Sequence, residues 1–293
     1  MTLINGKEVA EIIKGELKHK VDQFTSRGER PPHLAAVLIG KNPASLAYVN
    51  NKVKSCSQCG FRSTLIQKDP DISESDLLKL VAELNEDQDI DGFIVQLPLP
   101  HHINEQKIIL AIDPNKDVDG FHPINFGKMA QGLPCYLPAT PYGITLLLEH
   151  YNIETSGKHV VVVGRSNIVG TPISILLSRK GRGGDATVTL VHSRTKNINE
   201  FIRMGDIVVA AIGIPEFIKE AMIKPGAVVI DVGINRVEDS GQATGYRLTG
   251  DVDFNNVAAK CSFITPVPGG VGPMTVVSLM MNTFQAYSRK HNL

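Results

Sequence analysis

The sequence has no surplus of either charge, few cysteines and no long apolar run. Its 293 residues hold 30 Lys and Arg against 30 Asp and Glu, a balance that argues against nucleic-acid or anionic-membrane partners. No apolar run approaches a membrane span, and the first residues lack the apolar core of a signal peptide. Four cysteines are too few for a disulfide framework in this length. We therefore expect a cytoplasmic protein with no nucleic-acid and no membrane partner.

Spacings typical of metal sites are also missing. Cys56 and Cys59 form a C-x-x-C pair late in a predicted helix, and no second pair completes a tetrahedral zinc site. A redox C-x-x-C normally opens a helix instead. The nine histidines contain no H-x-x-x-H spacing. We interpret both cysteines as structural and predict no metal.

Helix-period stretches alternate with short apolar runs along most of the chain. Such alternation predicts an α/β fold with a mostly parallel sheet. The strongest predicted strands are 33–40, 61–67, 92–97, 158–163, 186–192, 206–213 and 227–233. A segment rich in Gly and Pro, 112–140, is a candidate domain boundary. We predict domains at 1–140 and 141–267, followed by a glycine loop and C-terminal helix at 268–293.

The stretch 158–173, GKHVVVVGRSNIVGTP, predicts a buried strand, a tight glycine turn and a helix. Pro172 suits the first turn of that helix. A helix start outside the end of a strand binds phosphate well, and Gly164, Arg165 and Ser166 lie in the turn. The spacing is not G-x-G-x-x-G, and an ordinary strand–turn–helix junction remains an alternative.

The strand predicted at 186–192 ends in His192, Ser193 and Arg194, without an acid. An acid at this point binds the ribose 2′-OH of NAD, whereas a hydroxyl and a guanidinium suit the 2′-phosphate of NADP. If this region binds a dinucleotide, we predict NADP rather than NAD. The alternative is a polar strand end without a ligand.

The first half of the chain contains three candidate site positions. Tyr48 and Lys52 lie four apart on one helix face, either as a solvated pair or with a desolvated lysine that works as acid or base. Gln96 ends a buried strand, where it either hydrogen-bonds a ligand or a cleft lysine or caps its own loop. Asp117 and Asp119 flank Val118 before Gly120, as a simple turn or as acceptors for a heterocycle with adjacent N–H groups.

A second glycine loop, PGGVGP at 268–273, precedes the last predicted helix. Adjacent glycines allow the backbone to approach a flat ligand closely. We predict that Pro268, Gly269 and Gly270 contact a ligand.

Six motifs stand in the order of one known family: YVNNK (48–52), VQLPLP (95–100), KDVDG (116–120), GRSNIVGTP (164–172), HSRT (192–195) and PGGVGP (268–273). Over essentially its whole length the chain resembles the bifunctional methylenetetrahydrofolate dehydrogenase/methenyltetrahydrofolate cyclohydrolase family. The resemblance implies an N-terminal α/β folate-site domain and a Rossmann-like NADP-binding domain with a cleft between them. It also implies a homodimer and a role in purine biosynthesis.

The resemblance implies a role for each matching residue. Lys52 would be the acid/base group, Gln96 its hydrogen-bonding partner and Asp119 the acid that holds the pterin ring. Tyr48 would line the folate pocket, and Pro268, Gly269 and Gly270 would stand where folate meets nicotinamide. The nucleotide contacts would be Gly164, Arg165, Ser166, Ser193 and Ile234.

The implied chemistry is oxidation of 5,10-methylenetetrahydrofolate by NADP, followed by hydrolysis of the methenyl cation to 10-formyltetrahydrofolate. One departure is the longer connection 180–185, which we expect to be a surface loop that could alter cofactor affinity. Arg194 varies in type within the family, so the resemblance assigns a phosphate contact to Ser193 more firmly than to Arg194. The alternatives are a non-catalytic folate- or NADP-binding protein, a cyclohydrolase without dehydrogenase activity, and another two-domain NADP dehydrogenase acting on a small acid.

Overall fold

The computed structural model describes residues 1–242 and 245–291, except for the Ala44 side chain. The strands are β1 (Thr2–Leu3), β2 (His33–Ile39), β3 (Arg62–Lys68), β4 (Gly92–Val95), β5 (His159–Val163), β6 (Thr187–Val191), β7 (Ile207–Ala210), β8 (Val228–Asp231), β9 (Asn235–Glu238), β10 (Tyr246–Thr249) and β11 (Phe263–Ile264). The helices are α1 (Gly6–Thr25), α2 (Pro43–Gln58), α3 (Glu74–Glu86), α4 (Glu105–Ala111), α5 (Pro123–Ala130), α6 (Ala139–His150), α7 (Gly170–Ser178), α8 (Ile198–Met204), α9 (Phe254–Val257) and α10 (Val271–Lys290). Within these ranges, no helix is long and apolar enough to cross a membrane.

The chain forms two compact units. The three-stranded unit comprises 11–139 and 276–293, and the six-stranded unit comprises 1–10 and 140–275. Residues 1–10 belong to the six-stranded unit because β1 pairs with β11 and the Lys7 N–H donates to the Gly269 carbonyl at 3.0 Å. The domain boundaries predicted from the sequence stay a prediction.

The six-stranded sheet has the order β1-β11-β8-β7-β5-β6, and all its neighbouring strands are parallel. Four consecutive valines of β5 are wholly buried, as expected for a central strand covered on both faces. The chain passes from β5 to β6 and then back to β7 on the other side of β5. Such a reversal opens a crevice at the carboxyl ends of β5 and β7, where open α/β sheets bind ligands.

The three-stranded sheet has the order β3-β2-β4 and is also parallel. Every residue of central β2 is buried, whereas the edge strand β3 is mostly exposed. Ser73 caps α3, since its Oγ accepts the Asp76 N–H at 3.0 Å. These two sheets confirm the predicted α/β class with mostly parallel pairing.

Three helices begin inside segments predicted as a domain boundary or a glycine loop. Helix α5 lies inside the Gly- and Pro-rich segment 112–140, because His122 caps it and Pro123 occupies its start. Helix α6 begins at Ala139, so Thr140 lies within its first turn and bonds Thr275 at 2.9 Å between the Oγ1 atoms. Helix α10 begins at Val271, inside the predicted glycine loop.

The six-stranded unit has two surface features. Strands β9 and β10 form an antiparallel hairpin. The connection 180–185 is largely exposed, with positive φ at Gly181, Gly183 and Asp185. Asp185 suits this conformation, because Asn and Asp adopt positive φ more often than other non-glycine residues.

From Val276 onward α10 belongs to the three-stranded unit. The Asn282 side chain donates to the carbonyls of Val118 and Leu137, each at 2.8 Å. Met280 Sδ lies 3.6 Å from Cys56 Sγ. Because burial raises the pKa of Cys56 to about 12 and that of Cys59 to about 11, both thiols stay neutral, in agreement with a structural role.

Candidate active site

Lys52 is buried in the third turn of α2, with 4% of its surface exposed. Its Nζ donates to Gln96 Oε1 at 3.1 Å. Burial lowers the pKa of Lys52, and the negative charge of Asp119 opposes that shift. A buried lysine with one neutral partner can be uncharged near neutral pH. Of the two interpretations of Lys52, the structure therefore favours the desolvated lysine over the solvated pair.

Gln96 follows directly after β4, and its backbone continues the sheet. Its N–H donates to Val37 of β2 at 2.9 Å, and its side-chain Nε2 donates to the Leu97 carbonyl at 2.7 Å. With the amide nitrogen occupied, the amide oxygen faces Lys52. The side chain thus both caps its own loop and holds the lysine, so the two alternatives for Gln96 are combined.

Tyr48 lies one helical turn before Lys52, and its ring centre is 4.9 Å from Lys52 Nζ. The face of an aromatic ring attracts a cation at this distance. The ring also covers one side of the amine, which limits the access of water to it. Tyr48, Lys52 and Gln96 therefore form one cluster in the three-stranded unit.

The two acids of the 116–120 turn have different surroundings. The buried Asp117 carboxylate accepts N–H groups from Phe121, His122 and the Asn125 side chain, at 2.8–3.2 Å. Burial raises the pKa of Asp117 to about 6, although these hydrogen bonds oppose the shift. Asp117 is therefore occupied in holding its own loop.

Asp119, by contrast, is half-buried. Among the residues that the structure describes, it has no hydrogen-bond partner for its carboxylate. Burial raises its pKa, and the charge of Lys52 lowers it, so the two groups are close enough to interact. The turn is rigid, because Gly120 has φ +74° and a Cβ there would lie 2.6 Å from the Leu137 carbonyl carbon. Asp119 is thus held as an acceptor whose charge influences the lysine.

Sequence reasoning treated Asp117 and Asp119 alike and missed the holding role of Asp117. The available signal was weak: Asn125, eight residues later, carries no motif of its own. Only the fold shows that its amide reaches Asp117, at 2.9 Å.

The Gly164 turn lies in the six-stranded unit, at the carboxyl end of β5. Gly164 has φ +123°, and a Cβ there would lie 2.0 Å from the Ala211 carbonyl oxygen. Ser166 Oγ accepts the N–H groups of Val169 and Gly170, at 3.2 and 3.4 Å, and so orders the start of α7. Arg165 and Ser166 are exposed. The predicted strand, tight turn and helix are confirmed, and the turn leaves a cationic side chain at the sheet edge.

Ser193 and Arg194 follow β6, the parallel neighbour of β5, and both are exposed. The Arg194 N–H donates to His192 Nδ1 at 3.2 Å, and the His192 N–H donates to Thr195 Oγ1 at 3.0 Å. This small turn presents a hydroxyl and a guanidinium at the sheet edge that also carries Arg165. The arrangement fits a phosphate group.

The remaining predicted positions also follow strands of this sheet. Ile234 comes after β8 and is 56% exposed. The loop of Pro268, Gly269 and Gly270 comes after β11, and Gly6 packs against it, since a Cβ there would lie 1.8 Å from Gly270 O. The candidate residues therefore form two groups, one in each unit, and their roles stay predictions.

Comparisons with known proteins match most of both units to one family. Residues 4–119 match the family model "Tetrahydrofolate dehydrogenase/cyclohydrolase, catalytic domain", and residues 138–291 match the model for the NAD(P)-binding domain of the same family. The bifunctional protein FolD of Flavobacterium johnsoniae is 59% identical over 286 residues, covering 98% of this chain and 97% of that protein.

Solved structures show the same likeness. The bifunctional methylenetetrahydrofolate dehydrogenase/cyclohydrolase of Campylobacter jejuni is 43% identical with a TM-score of 0.93, covering 99% of each chain. The Trypanosoma brucei enzyme, solved with NADP cofactor and an inhibitor, is 38% identical with a TM-score of 0.95, covering 100% of this chain and 99% of that one. This chain therefore belongs to the tetrahydrofolate dehydrogenase/cyclohydrolase family.

Proposed function

We infer that this chain oxidises 5,10-methylenetetrahydrofolate with NADP and then hydrolyses the 5,10-methenyl product to 10-formyltetrahydrofolate. Relatives that are 59% and 58% identical along nearly the whole chain are named as bifunctional proteins, and a structural neighbour binds NADP. The observation that carries the inference is the buried Lys52, bonded to Gln96 and electrostatically coupled to Asp119. A protein that only binds folate or NADP has no need of such a group.

The first reaction depends mainly on positioning. The hydride leaves a carbon that stands between two nitrogens, and these stabilise the cation that forms, so the protein supplies little covalent help. NADP, when bound, accepts the hydride. The residues that would hold it are Gly164, Arg165, Ser166, Ser193 and Ile234, and the acid-free end of β6 fits its 2′-phosphate.

The second reaction needs a proton acceptor. Water adds to the methenyl carbon while neutral Lys52 takes its proton. The bond from that carbon to N5 then breaks as N5 is protonated, and the loss of the hydroxyl proton leaves the 10-formyl group. The lowered pKa of Lys52 keeps the neutral base available.

Asp119 and Tyr48 hold the substrate in this proposal. The Asp119 carboxylate, open and fixed by its turn, accepts adjacent N–H groups of the pterin ring. The Tyr48 ring gives that flat heterocycle a stacking surface beside Lys52. Both interactions bring the reacting carbon close to the lysine. Pro268, Gly269 and Gly270 are proposed to contact the substrate as well.

The activity and its cofactor are tested in one assay. With 5,10-methylenetetrahydrofolate we expect rapid formation of NADPH, read at the nicotinamide absorbance, and kcat/KM for NADP at least about tenfold above that for NAD, since a phosphate contact contributes about 1.4 kcal/mol or more. With shikimate we expect no reduction. Reduction with shikimate alone would assign the chain to the other dehydrogenase class, and an NAD preference would refute the cofactor assignment.

The control for the cofactor is Ser193→Asp, which places a carboxylate beside the 2′-phosphate. We expect this variant to lose most of its advantage for NADP, because like charges repel, while its activity with NAD is kept or improved. Equal kcat/KM for NADP in the variant and the wild type would place the 2′-phosphate elsewhere.

We also propose that the chain forms a homodimer through the six-stranded unit. Strand β6 is an edge of the sheet, and unpaired edges are ready templates for a second strand. Leu190 on β6, and Phe201 and Met204 on the neighbouring α8, are 37%, 38% and 56% exposed. Light scattering should give twice the mass of one chain, and Leu190→Lys should halve it. A wild-type monomer at micromolar concentration would refute this assembly.

The cellular setting is likewise a proposal. All four cysteines are buried, and a low number of buried cysteines supports a reducing compartment such as the cytoplasm. The product, 10-formyltetrahydrofolate, is a one-carbon donor, and the family resemblance assigns it to purine biosynthesis. Recovery of the protein in a secreted or membrane fraction of the cell would contradict the cytoplasmic assignment.

A further inference from the structure

Asp251 is wholly buried in the six-stranded unit, and its carboxylate joins two loops. Oδ2 accepts the backbone N–H groups of Ile212 and Gly213, at 2.7 and 2.8 Å. Oδ1 accepts the side-chain amide of Asn235 at 2.9 Å. Ile212 and Gly213 follow β7, whereas Asn235 begins β9 in the connection after β8. One carboxylate therefore ties together the ends of two neighbouring parallel strands.

A second buried carboxylate, Asp231 at the end of β8, holds Asp251 in place. Its Oδ1 accepts the N–H groups of Asp251 and Gly233, at 2.9 and 3.0 Å, and its Oδ2 accepts that of Val252 at 3.0 Å. The Asp231 N–H in turn donates to Thr265 Oγ1 at 2.7 Å. Thr265 follows β11, so the network reaches a third strand end.

Two glycines leave room for these carboxylates. A Cβ on Gly233 would lie 2.2 Å from Asp251 Oδ1, and a Cβ on Gly250 would lie 1.8 Å from Asp231 Oδ2. Any side chain at either position would displace an acid. Because the two glycine backbones lie this close to the carboxylates, the network is part of the packed interior of the unit rather than a chance contact of surface groups.

The network lies beside the crevice of the sheet. Ile212 follows Ala211, whose carbonyl oxygen contacts the Gly164 turn. Ile234 stands between Gly233 and Asn235 and is 56% exposed, so packing of its own side chain does little to fix it. The hydrogen bonds of its two neighbours fix its backbone instead.

We propose that Asp251 and Asn235 are positioning residues for the nucleotide: the bond between their side chains sets Ile234 and the Ile212–Gly213 backbone in the geometry that the cofactor needs. The inference rests on the proposed NADP-dependent activity. Asp251 is wholly buried, so it acts through these loops rather than by touching the ligand. Burial raises the pKa of the supporting Asp231 to about 7, and its three N–H partners oppose that shift.

Asn235→Ala is the least disruptive test, because it removes one hydrogen bond and adds no charge. We expect KM for NADP to rise about tenfold, as for the loss of one hydrogen bond to a charged group, with a smaller change in kcat. Hydrolysis of 5,10-methenyltetrahydrofolate measured without NADP should be unchanged and reports an intact fold. The matched control is Asn256→Ala, which removes an exposed Asn–Asp pair of the same unit and should leave KM unchanged.

An exchange of the two side chains tests the bond itself. In Asp251→Asn an amide nitrogen, which cannot accept a hydrogen bond, faces the Asn235 amide. In Asn235→Asp two carboxylates face each other and repel. Each single variant should therefore raise KM for NADP. The double variant reverses donor and acceptor at constant charge and should return KM to within about threefold of the wild type, as expected for coupled partners.

Several results would overturn the inference. An unchanged KM in Asn235→Ala contradicts it, and so does a double variant no better than the two single ones. Recovery of folding and NADP binding in the double variant, where a single variant does not fold, supports it. Failure of the proposed function looks different, since the wild type itself would then not reduce NADP with 5,10-methylenetetrahydrofolate.

Discussion

Replacing Lys52 with Met lowers kcat for 5,10-methenyltetrahydrofolate hydrolysis by about 10²- to 10⁴-fold, the contribution typical of a positioned acid or base. Methionine has a similar length and no ionisable group, and it suits a site that already buries the lysine almost completely. It leaves the Gln96 amide oxygen without its donor, at a cost to stability of about 1–3 kcal/mol. The expected loss is therefore chemical rather than structural. Hydrolysis is measured by the disappearance of the methenyl absorbance.

The matched control is Lys54→Met on the same helix, where the side chain is exposed. It should keep both activities. Lys52→Met should also weaken the dehydrogenase, because in the proposed mechanism the charge of the lysine influences the reacting carbon. Unchanged hydrolysis in Lys52→Met would contradict the assignment of Lys52 as the base.

Asp119→Asn is expected to raise KM for the folate substrates about tenfold or more, since hydrogen bonds to a charged acceptor contribute about 1.5–3 kcal/mol. It should also change the pH dependence of hydrolysis. The Asp119 carboxylate raises the pKa of Lys52 against the effect of burial. Removing that charge lowers the pKa of Lys52 further, so the neutral base forms at lower pH.

The measurement is the pH profile of kcat/KM for hydrolysis. Activity that depends on neutral Lys52 rises as pH passes through the pKa of the lysine, and this rising limb should move to lower pH in Asp119→Asn. The control is Asp71→Asn, an exposed acid of the same unit, whose profile should match the wild type. A limb that stays in place or moves to higher pH would contradict the coupling of Asp119 to Lys52.

Much of the fold is visible in the sequence because parallel strands covered on both faces have a simple signature. This signature is present in the valines of β5 and the apolar residues of β2. The alternation of strands and helices indicates the remaining elements. The pairing of β1 with β11 is not visible, because it joins residues about 260 positions apart and two-residue strands have no periodicity. Helix α5 was missed because its buried face consists of only Asn125 and Met129.

The candidate site can likewise be predicted from the sequence only in part. Spacing places Tyr48 and Lys52 on one face, yet it leaves open whether the lysine is solvated or buried. Only the fold shows that the lysine is buried, because it brings Gln96, 44 residues away in the chain, into hydrogen-bond contact with the Lys52 amine. In the same way, Asp117 and Asp119 look equivalent in the sequence, and only Asn125 and the backbone of 121–122 distinguish them. The Asp231–Asp251 network has no sequence signal, since its partners come from four separate segments.

The most direct test of the central claim follows both products of the wild-type enzyme in one reaction with 5,10-methylenetetrahydrofolate and NADP. A single chain that carries out both steps should yield 10-formyltetrahydrofolate at the same rate as NADPH. In Lys52→Met, each NADPH that still forms should be accompanied by one molecule of the methenyl intermediate, which accumulates. Steady formation of NADPH by the wild type without enzyme-dependent 10-formyltetrahydrofolate would contradict the account.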